Sequence, residues 1–398
     1  MRISTLSLQQ QAVTAILDQQ RQLARTQLQV ATGERILSPS DDPIGTSRAL
    51  NLEQLASQLE QYEVNNNLLV NRLSLSESTL TQVTNVLQRV RELAIQANND
   101  TQSAEGRRLI AAEVRELGDE LLSLANAQNG QGEYLYSGFR TSTQAFRRTD
   151  AGVIYNGDQG QRLLQIGSDR TVADGNPGTA IFQFVPSGNG RFTTTAAAGN
   201  TGTGIIATGS VVDTALFTPD NYVINFLTAT DYEVVDSGGA TVSTGTYVDG
   251  NTIEFLGTQV NISGAPDPGD SFGVNPSVNT PLFSTIDNLA ANLEQYSDSP
   301  AGRAIFHSGL NASIDNLDQG IGVVLNVRTD LGSRLTSAET QESLNSQLSI
   351  DLQATISEIR DLDYAEAVSR LNIQLTGLQA AQQAFARVQN LSLFNFLR

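Results

Sequence analysis

The residue types that most often carry out chemistry are scarce in this chain. It has no cysteine and one histidine, His307. Disulfides, zinc fingers, iron–sulfur clusters and thiol nucleophiles are therefore excluded, and so is the HExxH zinc site, which needs two histidines. A catalytic triad would require a nucleophilic serine and an aspartate beside His307. We expect instead that His307 is an ordinary packed or surface histidine.

Two groups of neighbouring carboxylates could in principle bind a cation or catalyse hydrolysis. Asp361, Asp363 and Glu366 lie close together, but their spacing lacks the third oxygen position, the glycine and the closing glutamate of a calcium loop. We expect a helix interruption with solvated acids at this point. Asp42 precedes Pro43, so helix capping accounts for it without catalysis. The sequence therefore predicts no catalytic residue, no metal site and no cofactor, and an enzyme is not expected.

The charge balance of the chain is strongly acidic. Its 398 residues include 42 acidic side chains and 24 basic ones, all of them arginine, for a formal charge of −18. Contact with nucleic-acid phosphates or anionic lipids needs a basic patch, so no nucleic-acid partner is expected. No run approaches the roughly 20 apolar residues of a membrane span, and no cleaved signal peptide is recognised at the start. An exported protein without a cleaved signal would have the same features.

Apolar residues recur at alternating spacings of three and four, which is the pattern of long helices that pack along each other. In the longest stretch, eleven of thirteen such positions are apolar or aromatic. We expect the first three stretches to pack within one chain and the last to contribute contacts between subunits. The stretches cover residues 52–94, 110–124, 310–338 and 364–385.

Capping residues mark the expected helix boundaries. Gly33 can end the first helix in the left-handed conformation. Asp42 before Pro43, and Ser299 before Pro300, each supply an N-cap followed by proline at the first helical position. Proline is absent from residues 44–176 and 301–398, so uninterrupted helices are possible in both stretches.

The middle of the chain follows a different period. Residues 150–285 hold 13 acidic and 3 basic side chains and contain short β-branched or aromatic runs separated by glycine-rich turns. These predict strands at 222–226, 232–235, 252–255 and 259–262, in a small all-β sandwich or barrel. Residues 188–209, rich in Gly, Thr and Ala, are expected to form a loop.

The predicted fold is α+β and multidomain: a long antiparallel helical, coiled-coil stalk built from both termini, with an inserted small all-β domain. The three expected domains are a terminal helical assembly domain (1–45 with 352–398), a helical bundle stalk (46–149 with 286–351) and the all-β insert (150–285).

The two ends of the chain are amphipathic, carry little charge and have thin apolar stripes. Eight of the first thirty residues are glutamine, so an isolated end can bury little apolar surface. We expect the ends to become ordered by pairing with each other and with neighbouring copies, as in a polymer-forming subunit. The predicted assembly interface consists of Leu6, Val13, Ile16, Leu23, Val30, Val368, Leu371, Leu375, Leu378, Phe385 and Val388.

Both ends of the chain resemble the bacterial flagellin superfamily. The matching stretches occur in the family's order and lie in about the first 150 and last 110 residues. They are 31–43 (ATGERILSPSDDP), 91–98 (RELAIQAN), 331–335 (LGSRL) and 361–367 (DLDYAEA).

Within that superfamily, the chain resembles most the hook–filament junction family, also called hook-associated proteins or FlgL. The features that carry this resemblance are the MRIS start and the stretches 132–140 (GEYLYSGFR), 155–158 (YNGD), 269–272 (GDSF) and 393–398 (LFNFLR).

The resemblance implies a structural subunit, exported through the flagellar type III channel without a cleaved signal and located outside the cell in the flagellum. It implies as partners a ring of identical subunits, the other hook–filament junction protein, flagellin and an export chaperone. Filament flagellin itself is the first alternative. A surface adhesin or carbohydrate binder, with the β insert as the binding domain, is a less favoured one.

Overall fold

A computed structural model describes residues 5–396, together with their side chains except those of Thr5, Leu6, Leu8, Gln9 and residues 388–396. Three helix ends lie at the capping residues named above. The described residues form seven helices. They are α1 (Thr5–Thr32), α2 (Pro43–Ala97), α3 (Ala104–Ala125), α4 (Gly178–Phe182), α5 (Leu282–Glu294), α6 (Pro300–Arg360) and α7 (Tyr364–Phe396).

The strands lie between α3 and α5. They are β1 (Phe146–Thr149), β2 (Gly152–Tyr155), β3 (Leu163–Gly167), β4 (Arg170–Ala173), β5 (Val185–Pro186), β6 (Phe192–Ala196), β7 (Ile205–Val211), β8 (Tyr222–Phe226), β9 (Asp231–Val235), β10 (Thr241–Thr246), β11 (Thr252–Phe255), β12 (Thr258–Ser263), β13 (Ser271–Pro276) and β14 (Asn279–Thr280). The prediction of long terminal helices around a central β region is confirmed.

The capping predictions are also confirmed. The Asp42 carboxylate accepts the backbone N–H of Gly45 at 2.9 Å, and α2 begins at Pro43. Ser299 accepts the N–H of Gly302 at 3.0 Å, and α6 begins at Pro300. Each side chain satisfies one of the N–H groups that the first helical turn leaves without an intrahelical partner.

The chain divides into two compact units. One unit comprises residues 1–64 and 341–398, and the other comprises residues 65–340. The long helices α2 and α6 contribute to both units.

The 65–340 unit contains a helical core that follows the predicted 3–4 spacing. Leu69, Leu73, Leu80 and Leu87 on α2 are fully buried against apolar side chains of α3, α5 and α6. Burying a leucine completely contributes about 2 kcal/mol, so this seam is a major source of the unit's stability.

Four aromatic rings pack together in one part of the same core. Phe146 contacts Phe182 and Phe283 with ring centroids 5.3 Å apart, and Tyr136 lies 5.7 Å from Phe182. Because Phe146 is on β1 and Phe182 on α4, the first β hairpins are packed into the helical core.

A second core belongs to a β sandwich. A five-stranded sheet of order β10-β9-β8-β13-β6 and a three-stranded sheet of order β11-β12-β7 both contribute to it. The inward side chains include Ile224, Phe272, Ile206 and Val260. The strands predicted at 222–226, 232–235, 252–255 and 259–262 correspond to β8, β9, β11 and β12.

The expectation of a loop at 188–209 was wrong. This stretch contains β6 and the first part of β7. In β6, Phe192 and Thr194 are buried, and the strand pairs with β13, about 80 residues further along the chain. The threonine-rich composition suits a half-buried strand, but the pairing that stabilises it is not visible locally.

Candidate functional site: the terminal helix pair and its loop

Helices α1 and α7 pack along each other, so the first and last described segments of the chain form one structural pair. On α1, Leu23 and Thr26 are buried. The amide nitrogen of Gln19 lies 3.0 Å from the position that a Cβ on Gly377 of α7 would occupy. The seam is therefore close-packed and partly polar.

The α1–α2 loop is joined to the break between α6 and α7 by backbone hydrogen bonds. The N–H of Arg35 donates to the carbonyl of Arg360 at 2.8 Å, and the N–H of Leu362 donates to the carbonyl of Gly33 at 2.9 Å. The Arg35 guanidinium also donates to the carbonyl of Ile359 at 2.6 Å. The two bonds from Arg35 satisfy carbonyls that the end of α6 leaves without intrahelical partners.

Charged side chains reinforce this junction. Arg360 forms ion pairs with Glu34 at 3.0 Å and with Glu53 at 2.5 Å, and Arg35 lies 3.3 Å from the Asp42 carboxylate. The Gly45 N–H, with Arg35 adding to its effect, holds the pKa of Asp42 below its ordinary value. Asp42 therefore works as an ionised cap, and no catalytic role is needed to explain it.

The backbone conformation at residue 33 requires glycine. Its φ of +76° lies in the left-handed region, and a Cβ there would lie 2.8 Å from the hydroxyl oxygen of Tyr364. Glycine adopts this conformation without the steric cost that a side chain adds. The prediction that Gly33 ends α1 is confirmed, since α1 stops at Thr32.

The acidic residues 361–366 form the expected helix interruption. The Asp363 carboxylate accepts the N–H groups of Ala365 at 2.9 Å and Glu366 at 3.1 Å, so Asp363 is the N-cap of α7. Asp361 pairs through its backbone with Glu34. The Asp361 carboxylate accepts the hydroxyl of Ser357, so both carboxylates have a structural explanation.

A small cavity of about 190 Å³ lies between the α1–α2 loop and α2. Ile36, Leu37 and Pro39 of the loop and Leu50 of α2 supply its apolar lining, and Glu34, Glu53 and Arg360 are polar residues that also line it.

The predicted interface residues are distributed unevenly over the terminal pair. Leu23 is buried, Ile16, Val30, Leu371, Leu378 and Phe385 are half-buried, and Val13, Val368 and Leu375 are exposed. The side chains of Leu6 and Val388 lie outside the described ones. The structure brings α1 and α7 together but leaves part of the predicted apolar set uncovered within one chain.

Sequence reasoning missed the polar members of the seam and several exposed leucines. Thr26 and Gln29 are buried on α1, where they follow Leu23 at two successive spacings of three. Leu17 and Leu28 are exposed on the same helix. Extending the spacing analysis to polar residues and to the other helix faces would have found both sets.

His307 is packed on α6, as expected. Its Nδ1 lies 2.6 Å from Oδ1 of Asn98, and its Nε2 lies 3.0 Å from Oδ1 of Asp100. Burial lowers the pKa of His307 below its ordinary value, although Asp100 opposes the effect. The residue ties α6 to the turn between α2 and α3.

The expectation that no serine lies in a G-x-S-x-G motif was wrong, because Ser271 does. Residues 269–273 have the spacing G-x-S-x-G, which in hydrolases places a serine on a strand-to-helix turn. Here Ser271 begins β13, which pairs with β6 and β8. Ser271 therefore does not lie on the strand-to-helix turn that carries the serine in hydrolases.

Among residues 5–396, no three His, Cys, Asp or Glu side chains are grouped closely enough to hold a metal ion. In the same part of the chain, no helix combines the length and apolar character needed to cross a bilayer.

Family models match three parts of the chain. The bacterial flagellin N-terminal helical region matches residues 3–141, and the flagellin C-terminal helical region matches residues 314–397. The D2-like domain of flagellar hook-associated protein 1 matches residues 195–276, which covers most of the β sandwich.

Full-length relatives agree with these models. The chain is 27% identical over 395 residues to flagellar hook-associated protein 3 of Escherichia coli K12, covering 99% of each chain.

Two solved structures are similar in fold and sequence. FlgL of Xanthomonas campestris is 34% identical with a TM-score of 0.72, over 77% of this chain and 99% of that one. The flagellar junction protein FlgL of Legionella pneumophila is 32% identical with a TM-score of 0.73, over 79% and 100%. The chain therefore belongs to the FlgL family of flagellar hook-associated proteins, a family of structural proteins and not of enzymes.

Proposed function

We propose that this chain is a structural subunit of the bacterial flagellum that joins the hook to the flagellin filament. It would contact the hook through the other junction protein and would form a ring of identical subunits. The main observation behind the proposal is the terminal helix pair, which leaves apolar side chains such as Val13 and Val368 exposed in a single chain. The full-length similarity to hook-associated protein 3 favours the same role.

Assembly is proposed to be coupled to folding of the chain ends. Of the α1 side chains that are described, only Leu23, Thr26 and Gln29 are buried, so α1 gains little from packing in one chain. Helices depend mainly on tertiary packing for their stability. Contacts with neighbouring copies would supply the missing burial.

Circular dichroism tests this coupling. A chain lacking residues 1–31 and 364–398 should lose little helical signal relative to the full-length monomer, because the ends of the lone monomer are unfolded. A large loss would show that the ends are already helical, and the coupling would then be wrong.

The route to the flagellum is proposed from the same resemblance. The chain would be exported through the flagellar type III channel without a cleaved signal, after a chaperone has bound its C-terminal segment. The absence of cysteine is compatible with passage as an unfolded chain, since no disulfide must be reduced. The mature location would be extracellular, in the flagellum.

A deletion strain tests the proposed function. Without this protein, cells should carry intact hooks, release flagellin into the medium and be non-motile. Filament flagellin, the first alternative, predicts instead that the purified protein polymerises into long fibres by itself. An adhesin predicts unaffected motility, with glycan binding by the isolated residues 150–285.

Complementation with two matched variants sharpens the test. Val368→Glu and Leu109→Glu each place a charge at an exposed apolar position on a helix, so neither should unfold the monomer. Only Val368 is in the predicted interface. L109E should restore motility and V368E should not, and equal rescue by both would contradict the proposed role of α7.

A further inference from the structure

One face of α6 carries a second stripe at coiled-coil spacing. It lies in the same unit as α1, within residues 341–360. Asn345, which is buried, lies about 100° around the helix from Leu344. The stripe is exposed, with Leu344 59% and Leu348 49% accessible. At spacings of four, three, four and three, its members are Leu344, Leu348, Asp351, Thr355 and Glu358.

The two carboxylates of this stripe are available to a partner. Within residues 5–396, neither Asp351 nor Glu358 forms an ion pair. Asp351 accepts one hydrogen bond from the amide of Gln347, at 3.1 Å. An exposed helix face with two leucines followed by two unpaired acids is suited to a partner helix that offers apolar and basic residues.

Helix α1 presents such a face. Leu17, Arg21, Ala24 and Leu28 follow each other at spacings of four, three and four, and all are exposed. Leu17 is 52% and Leu28 53% accessible. These residues lie away from the α7 seam, which uses the side of α1 that contains Leu23.

Arg21 forms only a weak ion pair within its own chain. Its partner is Asp18, three residues earlier on the same exposed surface. Such pairs on a helix surface contribute little stability, so Arg21 can exchange Asp18 for another partner at little cost.

The two stripes match when the helices run antiparallel. Leu28 and Arg21 are seven residues apart, as are Leu348 and Thr355. If Leu28 packs on Leu348, Arg21 lies opposite Thr355, between Asp351 and Glu358. A single register therefore gives both an apolar contact and an arginine between two acids, which is how flanking charges set orientation in coiled coils.

We propose that the stripe of α1 in one copy packs antiparallel on the stripe of α6 in a second copy, with Arg21 between Asp351 and Glu358. This inference rests on the proposed function, because it names a contact between neighbouring subunits of the ring. Both stripes are exposed in the single chain, so the second copy supplies the missing face. The contact is heterologous: each copy uses a different surface on each side, as a ring or helical assembly requires.

Cysteine cross-linking tests the contact in a chain that has no native cysteine. The double variant L28C/L348C is expressed in the deletion strain, and isolated hook–filament particles are oxidised and analysed without reductant. Covalent dimers and higher multiples should form in at least tenfold greater yield than from the control L28C/I350C. Ile350 is equally exposed but lies on the other side of α6, two residues or about 200° away.

Charge reversal gives a second measurement. Arg21→Glu should reduce the yield of L28C/L348C cross-links several-fold, and D351R/E358R added to R21E should restore it. These side chains are exposed, so the substitutions should not unfold the monomer.

The outcomes separate the contact from the proposed function. Absence of covalent multimers, equal yields from the control, or a cross-link within one chain would each overturn the contact. The amount of the L28C/L348C protein incorporated into the same particles reports independently on the proposed function. Particles that contain the protein without the cross-link would therefore refute the contact and leave the junction role standing.

Discussion

The buried arginine Arg107 offers a demanding test of the packing at the α2–α3 turn. Only 1% of its surface is accessible. Its guanidinium donates to the carbonyls of Ala97 at 3.1 Å, Gln102 at 2.7 Å and Asn99 at 3.1 Å. It also lies 4.0 Å from the ring centroid of Tyr296. We predict that replacing Arg107 by methionine destabilises the 65–340 unit.

The expected magnitude follows from these contacts. Three hydrogen bonds from a charged donor contribute about 1.5 kcal/mol each at the lower limit, and a desolvated cation–π contact about 2 kcal/mol. Removing the charge also relieves a desolvation cost of several kcal/mol. The net loss expected for Arg107→Met is about 3 kcal/mol.

Urea denaturation followed by circular dichroism measures this loss. With a slope of about 2–3 kcal/mol/M, the midpoint of the unit's transition should fall by about 1 M or more. The control is Arg108→Met, because the neighbouring Arg108 side chain is 66% exposed and should change stability by less than about 0.5 kcal/mol. If R107M is as stable as R108M, the buried guanidinium contributes no net stability and the reasoning is refuted.

Three further predictions concern single positions. Leu80→Ala should lower the free energy of unfolding, measured in urea, by about 2–5 kcal/mol because Leu80 is fully buried. Leu68→Ala, at an exposed position of the same helix, should lower it by less than about 1 kcal/mol, and equal losses would contradict the assigned helix face. Gly33→Val should destabilise the junction between the α1–α2 loop and the α6–α7 break by at least about 1 kcal/mol, measured as faster hydrogen exchange of the Arg35 and Leu362 amides, which are hydrogen-bonded across it; unchanged exchange would show that φ at Gly33 is not constrained. Burial lowers the pKa of His307 in the folded protein, so its contribution to the free energy of unfolding should be full above its ordinary pKa of 6.5. That contribution should decline as the pH falls through and below 6.5, because the unfolded chain then binds the proton more readily. His307→Gln should flatten this part of the plot of stability against pH, and an unchanged plot would exclude His307 as its origin.

The helical architecture was predictable because its information is local. In the stretch 52–94, the 3–4 spacing identified Leu69, Leu73 and Leu80 before any contact was known, and each is fully buried. Gly33 and Pro43 likewise marked helix ends through backbone constraints that act on a few neighbouring residues. Periodicity and capping therefore specify where helices run.

Features that depend on distant partners were not predictable from one sequence. The Thr and Ala residues of β6 give only a weak local strand pattern, so the sequence predicts a loop there. The strand is stabilised by its hydrogen-bonded pairing with β13. The buried Arg72 is similar: it lies 3.5 Å from Asp174, a residue about 100 positions away. Neither side chain reveals the other by its spacing.

The candidate interface was predictable only in part, for a different reason. Apolar counting identified Leu23 and Leu371 but passed over Thr26, which is buried, and over Leu28, which is exposed. Apolar periodicity indicates which residues can be buried. It does not indicate whether the covering surface belongs to the same molecule.

The pairing of α1 with α7 also determines the order in which the molecule can be completed. Helix α1 is synthesised before α7, and most of the given sequence separates Gly33 from Leu362, whose backbones are hydrogen-bonded. Pairings between segments so far apart in sequence form late, because a long loop must close first. A ribosome-bound intermediate therefore holds α1 without its partner until α7 has been synthesised, and a premature stop codon anywhere before α7 leaves α1 without that partner.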